Sequence, residues 1–251
     1  MLNLIKFEFR KLYKSKYPYI IAIISLAFAL ISGLTNKALY DALIESGQPV
    51  AGSSAYLSTK GALAGTFTML IGIFVALFAT EDASSGTIKN IYARGYTRVQ
   101  VYYSKYIVSL VASLLISIIT VLFTFVYSNA IWGNDVEIVD NVAVIIIGQL
   151  LGIIAYHTIF FAISYVFEKV GTAIALNIVA PMIVSLVLGM GDALINSDNF
   201  KLNSYWIESL YGNFTSAQSD ADMLGIGIAL FVVYTIAALM IGMFISNKKE
   251  V

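Results

Sequence analysis

Six stretches of this chain run for 20 residues or more without a charged side chain, and they limit what it can fold into. Lys16 to Lys37 and Lys60 to Glu81 each enclose 20 uncharged residues; Lys105 to Asp135 encloses 29, Asp140 to Glu168 27, Lys169 to Asp192 22, and Asp222 to Lys248 25. A helix needs about 20 apolar residues to cross roughly 30 Å of hydrocarbon, so each stretch accommodates one crossing helix. The apolar runs are continuous, as over 142–151 and 226–236, without the alternation of a barrel strand. Composition agrees: 59% of residues are hydrophobic and 12% charged, where a soluble domain carries about 25% charged. So little charge cannot cover a water-facing surface, which excludes a soluble enzyme. The reading is an all-α membrane protein, one transmembrane domain over 1–251, with spans near 17–36, 61–80, 106–128, 142–167, 170–190 and 223–246.

Lysine and arginine set the orientation. Six spans place both termini on one side, with Lys6, Arg10, Lys11, Lys14, Lys16, Lys89, Arg94, Arg98, Lys105, Lys169, Lys248 and Lys249, which are 12 of the 15 basic residues. Lys37, Lys60 and Lys201 fall on the other side, so the termini are expected in the cytoplasm of a bacterial-type cell. Ten of the 15 acids, among them Asp192, Asp198, Glu208, Asp220 and Asp222, face outward. The net charge of zero thus conceals a strong dipole and gives no reason to expect nucleic acid as a partner. The absence of cysteine excludes a disulfide framework, a thiolate metal site and a cysteine nucleophile. The first span reads as uncleaved, because its basic leader is long and no small-residue cleavage site follows.

Two segments outside the spans carry pattern. Over 2–16, Leu2, Ile5, Phe9, Leu12 and Tyr13 recur at helical steps beside Lys6, Arg10 and Lys14. That periodicity favours a helix in the headgroup layer over a plain basic flank, and Pro18 then permits the turn into the first span. The 25 residues from Glu81 to Lys105 exceed a simple helix connection. Gly86 interrupts the helix leaving the second span, and Ile88, Ile91 and Tyr92 form a short apolar face. Gly95 can cap it in the left-handed region, and Thr97 with Gln100 is a capping box opening the next helix.

This loop resembles that of the ABC-2 type permease family: Glu81, then Gly86-Thr87, an apolar helix with Ile88 and Ile91, then Thr97-Arg98 and Lys105. Many members place a proline shortly before the Thr-Arg pair, where this chain has Gly95-Tyr96. The resemblance covers nearly the whole chain, since the six spans and amphipathic N-terminal helix also match. It implies the membrane subunit of an ABC transporter, dimeric with a second copy or a paralogue, with ATP and magnesium held on a separate ATPase. Coupling to that ATPase is expected at Glu81, Gly86, Thr87, Ile88, Ile91, Tyr92, Arg94 and Arg98, with a smaller contact at Glu168 and Lys169.

The residues agree on two points. No GxxxxGK[ST] run exists, so the chain has no phosphate-cradling loop of its own. The spans carry no Asp, Glu, Lys or Arg at mid-depth, which disfavours an ion-coupled carrier. No catalytic, cofactor or metal residues are expected. A lone His157 reads as a hydrogen-bonded core histidine rather than a metal ligand. Asn177 and Pro181 read as a kink. Gly61-x-x-x-Gly65 and Gly148-x-x-x-Gly152 allow close helix approach, within one subunit or between two. The segment 189–221 is rich in aromatics, so part of it is expected to dip back as short helices. The resemblance to small stand-alone permeases implies export of amphipathic or antimicrobial peptides, with drug or lipid export, a secondary carrier and an assembly factor as alternatives; the acids of this segment form an outer rim that would attract a cationic peptide.

Overall fold

A computed structural model describes residues 1–47, 55–132, 142–167, 169–195, 201–215 and 221–248. Among these residues the chain is helical, without a strand. The helices are α1 (Leu2–Lys14), α2 (Tyr17–Glu45), α3 (Ala55–Gly61), α4 (Gly65–Ser84), α5 (Ile88–Ala93), α6 (Arg98–Trp132), α7 (Val142–Val166), α8 (Val170–Ile195), α9 (Ile207–Thr215) and α10 (Ala221–Lys248), with a 3-10 turn at Leu202–Tyr205. Six are long and apolar enough to cross a membrane: α2, α4 with the end of α3, α6, α7, α8 and α10.

Several helices outrun the spans marked by the charges. α2 continues to Glu45 and α6 reaches from Arg98 to Trp132. Their far ends support each other: Tyr40 meets Trp132 edge-on at 5.1 Å, and Lys37 lies 4.9 Å from the Trp132 ring while pairing with Asp41 at 2.9 Å. Charge-free length measures hydrocarbon; it does not stop a helix at the membrane surface.

The core lies where α4, α6 and α7 meet, around Phe74, Phe78, Tyr102, Phe161 and Ile153. α8 and α10 leave long apolar faces exposed, including Met182, Leu186, Val233 and Ile241. One face of α6 carries a buried hydroxyl ladder of Ser104, Ser109, Ser113, Ser117, Thr120, Thr124 and Ser128. Ser117, Thr120 and Thr124 donate to carbonyls one turn back, so small residues bring the helices close without leaving those hydroxyls unpaired. Ser25 of α2 meets Thr120 at 3.0 Å. His157 of α7 sits between Ser109 (3.1 Å from Nε2) and Ser113 (2.9 Å from Nδ1), the satisfied core histidine the sequence suggested.

Beyond the membrane-crossing helices, α9 folds back between α7 and α10 with Leu210, Tyr211 and Phe214 buried. The Phe214 ring occupies the space a Cβ would need at Gly148 and Gly227, and Tyr211 does the same at Gly152. Gly148 and Gly227 each lie six residues into their helices, roughly 9 Å at 1.5 Å per residue. The Gly148-x-x-x-Gly152 pattern is therefore used inside one subunit, as the seat for α9.

Candidate functional site

At the end of the bundle that carries both termini, α1 lies against the last turn of α4 and the first turns of α6. The contact is ionic. Lys11 of α1 pairs with Glu81 (2.9 Å) and Asp82 (2.6 Å) of α4, and Lys105 of α6 pairs with Asp82. Glu8 of α1 lies 4.0 Å from Lys105. Lys11 and Lys105 also stand 5.8 and 5.4 Å from the Phe78 ring. Glu8 and Lys105 are 0% exposed and Asp82 4%, so the group counts as buried charge, stable only through mutual pairing.

Three acids face two lysines here. Neither Glu8 oxygen has a hydrogen-bond partner among the described residues, and burial raises its carboxyl above the ordinary 4.5 despite the pull of Lys105. Burial works against the Lys11 ammonium, but Asp82 and Glu81 raise it above its usual value. A proton on Glu8 leaves two carboxylates against two ammoniums.

α5 hangs beside this cluster on two glycines. Gly86 (φ +72°) and Gly95 (φ +86°) both lie in the left-handed region, and Gly95 N–H donates to Tyr92 O as the helix closes. The capping box expected at Thr97 is formed: Thr97 N–H donates to Gln100 Oε1 (3.1 Å), and Gln100 N–H to Thr97 Oγ1 (3.3 Å). Thr87 donates to Asp82 Oδ1 at 2.9 Å, tying α5 to the charge cluster. Ile91 is buried with Leu4 of α1 and Val101 of α6, and Tyr92 packs against the same group. Part of the apolar face of α5 thus points into its own chain, and Ile88 is half-buried. Lys89, Asn90 and Arg94 are exposed. Between α1 and α5 opens a cavity of about 580 Å³, with Leu4, Phe7, Ile91 and Tyr96 as apolar walls, Lys11, Glu81 and Asp82 inside, and Arg94 lining it too. Arg98 points elsewhere, donating to Asn247 O at the end of α10 (3.2 Å).

The remaining residues singled out from sequence are dispersed. Lys169 is exposed just before α8, and Glu168 lies outside the described residues. At the opposite end, Asp192 accepts from the N–H groups of Leu202 (2.5 Å) and Asn203 (3.0 Å), holding the 3-10 turn. Glu208 is exposed in the first turn of α9. Asp198, Asp220 and the side chain of Asp222 lie outside the described residues. Sequence reasoning passed over Glu8 altogether, although Leu4, Glu8 and Lys11 share one helical face.

Six helices long and apolar enough to cross a membrane, with an ion-paired platform at one end, define a multi-pass membrane protein. The family model described as ABC-2 family transporter protein matches residues 4–191, and the chain belongs to that family. Members generally work with an ATPase subunit and form dimers in a membrane. No curated protein and no solved structure matches the chain.

Proposed function

We propose that this chain is the permease of an ATP-driven exporter, working as a pair of such subunits with two separate ATPases that hold ATP and magnesium. The supporting observation is the cavity between α1 and α5. Its apolar walls and charged interior suit insertion of an ATPase surface element, and its rim offers Phe7, Asn90 and Arg94. ATP-driven closure of the ATPases would press on α5. The push would pass through the Thr87–Asp82 bond into α4 and through the Lys105–Asp82 pair into α6. The glycines at both ends of α5 let it tilt without unwinding its neighbours. Glu168 and Lys169 would add a smaller contact.

In this reading the termini are cytoplasmic, following the excess of lysine and arginine. The exposed Leu2, Phe9 and Tyr13 of α1 would face lipid while Leu4, Glu8 and Lys11 face the bundle. The cargo is a cationic or amphipathic peptide, leaving between the paired subunits past an outer side rich in acids.

The test uses the chain co-expressed with its partner ABC ATPase. Phe7→Asp with Arg94→Glu alters two exposed positions, so insertion stays normal. Co-purification of the ATPase and peptide-stimulated ATP hydrolysis are expected to be lost, because an uncompensated carboxylate buried in a docking surface costs several kcal/mol. Normal co-purification would refute the docking surface. Labelling of Ser84→Cys by an impermeant maleimide in intact cells would refute the orientation.

A further inference from the structure

A second cavity, of about 210 Å³, lies where α4, α7 and α8 meet α9. Tyr156, Phe160 and Tyr211 form its aromatic side, with Tyr156 meeting Tyr211 edge-on at 5.5 Å and Phe160 at 5.6 Å. Asn177, Thr68, Thr215 and Glu208 supply its polar atoms.

The hydrogen-bonding capacity left over there is chiefly that of acceptors. The Thr68 hydroxyl donates to Gly65 O and the Thr215 hydroxyl to Tyr211 O, so both donors are spent on their own helices. The Asn177 Nδ2 group donates to Gly72 O (2.9 Å) and Ser164 Oγ (2.8 Å). What remains is Asn177 Oδ1 and Tyr211 OH, both buried without a partner among the described residues, on side chains 1% and 2% exposed. Glu208 makes no ion pair among the described residues. The Asn177 amide oxygen and the Glu208 carboxylate only accept, the Tyr211 hydroxyl oxygen can accept as well, and Tyr156, Phe160 and Tyr211 line the cavity with aromatic rings, a set complementary to a cation that donates hydrogen bonds. An unsatisfied buried acceptor is costly, and a donating ligand relieves that cost.

We propose that this cavity binds an alkylammonium group, with Glu208 as counter-charge, Asn177 Oδ1 as buried acceptor and Tyr156, Phe160 and Tyr211 as the cage. Its volume lies below the roughly 300–1,000 Å³ of clefts that enclose whole drug-sized ligands, so it takes a head group and leaves the attached chain outside. Two sources carry this chemistry: the ethanolamine head of a phospholipid, or an amine of the cargo. The second rests on the export reading above; the first does not.

The experiment measures the thermal midpoint of the purified full chain in neutral maltoside micelles. It is titrated with butylammonium or butanol at constant ionic strength. Butylammonium is expected to raise the midpoint saturably, through mass action on the folded state, and butanol is not. Glu208→Gln changes an exposed side chain and is expected to weaken butylammonium binding about tenfold, the scale of a charge-assisted hydrogen bond. Tyr211→Phe is expected to weaken it less. Displacement by phosphatidylethanolamine but not phosphatidylglycerol identifies a lipid head as the resident; displacement by lysine amide alone identifies a cargo amine. Equal response to butylammonium and butanol, or an unchanged affinity in Glu208→Gln, overturns the proposal. No ATPase takes part, so saturable binding without peptide-stimulated hydrolysis would leave the cavity standing and remove only the export reading.

Discussion

At the end that carries the termini, α1 is joined to α4 and α6 through five charged side chains, whereas at the other end α9 is joined to α7 and α10 by aromatic rings seated on glycines. Both contacts attach a short helix to the same bundle, and their physics differs. The ionic joint depends on direction and protonation and is held by opposing terms of large size. The aromatic joint depends on shape and on neutral hydrogen bonds; Phe214 fills the space left by two missing side chains, and a Gln149 amide anchors it by donating to Phe214 O (2.8 Å) and Lys60 O (2.9 Å). A joint of the first kind can be loosened by a proton or a partner's charge. A joint of the second kind is indifferent to both. That division suits a platform that transmits a push at one end and a fixed wall at the other.

The largest effect that separates the two joints is expected from Lys105→Met. It leaves Glu8 and Asp82 buried with only Lys11 between them, and removing one partner of a buried pair costs roughly 3–5 kcal/mol. The midpoint of thermal unfolding in micelles should fall sharply. Adding Glu8→Gln should recover part of the loss, because one of the two stranded carboxylates is gone; additive losses in that double-mutant cycle would show that Glu8 and Lys105 do not share one network.

At the aromatic joint, Gly148→Ala puts a methyl group where the Phe214 ring lies. Overpacking of this kind costs about 1–3 kcal/mol. The ring is rigid and pinned on its other side by Gly227, so little relaxation is available. The loss should be the same at pH 5 and pH 8. A pH-dependent loss, or a variant as stable as the parent, would show that α9 is not held by shape.

How far the sequence revealed these joints follows from the same physics. Membrane crossing is a local property, so runs without charge located all six helices, and the Thr97–Gln100 box and the glycines at 86 and 95 acted within a few residues of themselves. Glu8 was hidden because its partner is distant: Lys105 lies far along the chain, on another helix. Seen alone, α1 is a basic amphipathic helix, and the eye groups Leu2, Phe9 and Tyr13, which the fold leaves exposed. Asp192 was counted with an acidic rim for a similar reason. Composition gives its charge but not the two N–H groups it accepts from. The role of the two glycines before α9 was open in the sequence because a small-residue pattern does not name its partner.

The smallest effect expected is also the one that most directly distinguishes the joints. Glu8→Gln keeps the shape of the side chain and removes its charge. In the folded chain the Glu8 carboxyl is raised by burial, with Asp82 and Glu81 adding to the rise and Lys105 and Lys11 opposing it. A carboxyl raised on folding stabilises the folded state fully below its unfolded value, near 4.5, and that contribution is lost as pH climbs through the raised folded value. The parent should therefore dock α1 most firmly in mild acid and lose some of that stability toward neutral pH. The glutamine variant cannot titrate, so its thermal midpoint should stay level over the same range and exceed that of the parent at neutral pH. The gap should narrow as pH falls and the parent's own carboxyl takes up its proton. A parent whose midpoint rises from pH 5 to pH 8 would mean that Glu8 is held ionised by Lys105. The cluster would then carry a net negative charge, and α1 would be bound by an excess of carboxylate rather than by a balanced set of four charges.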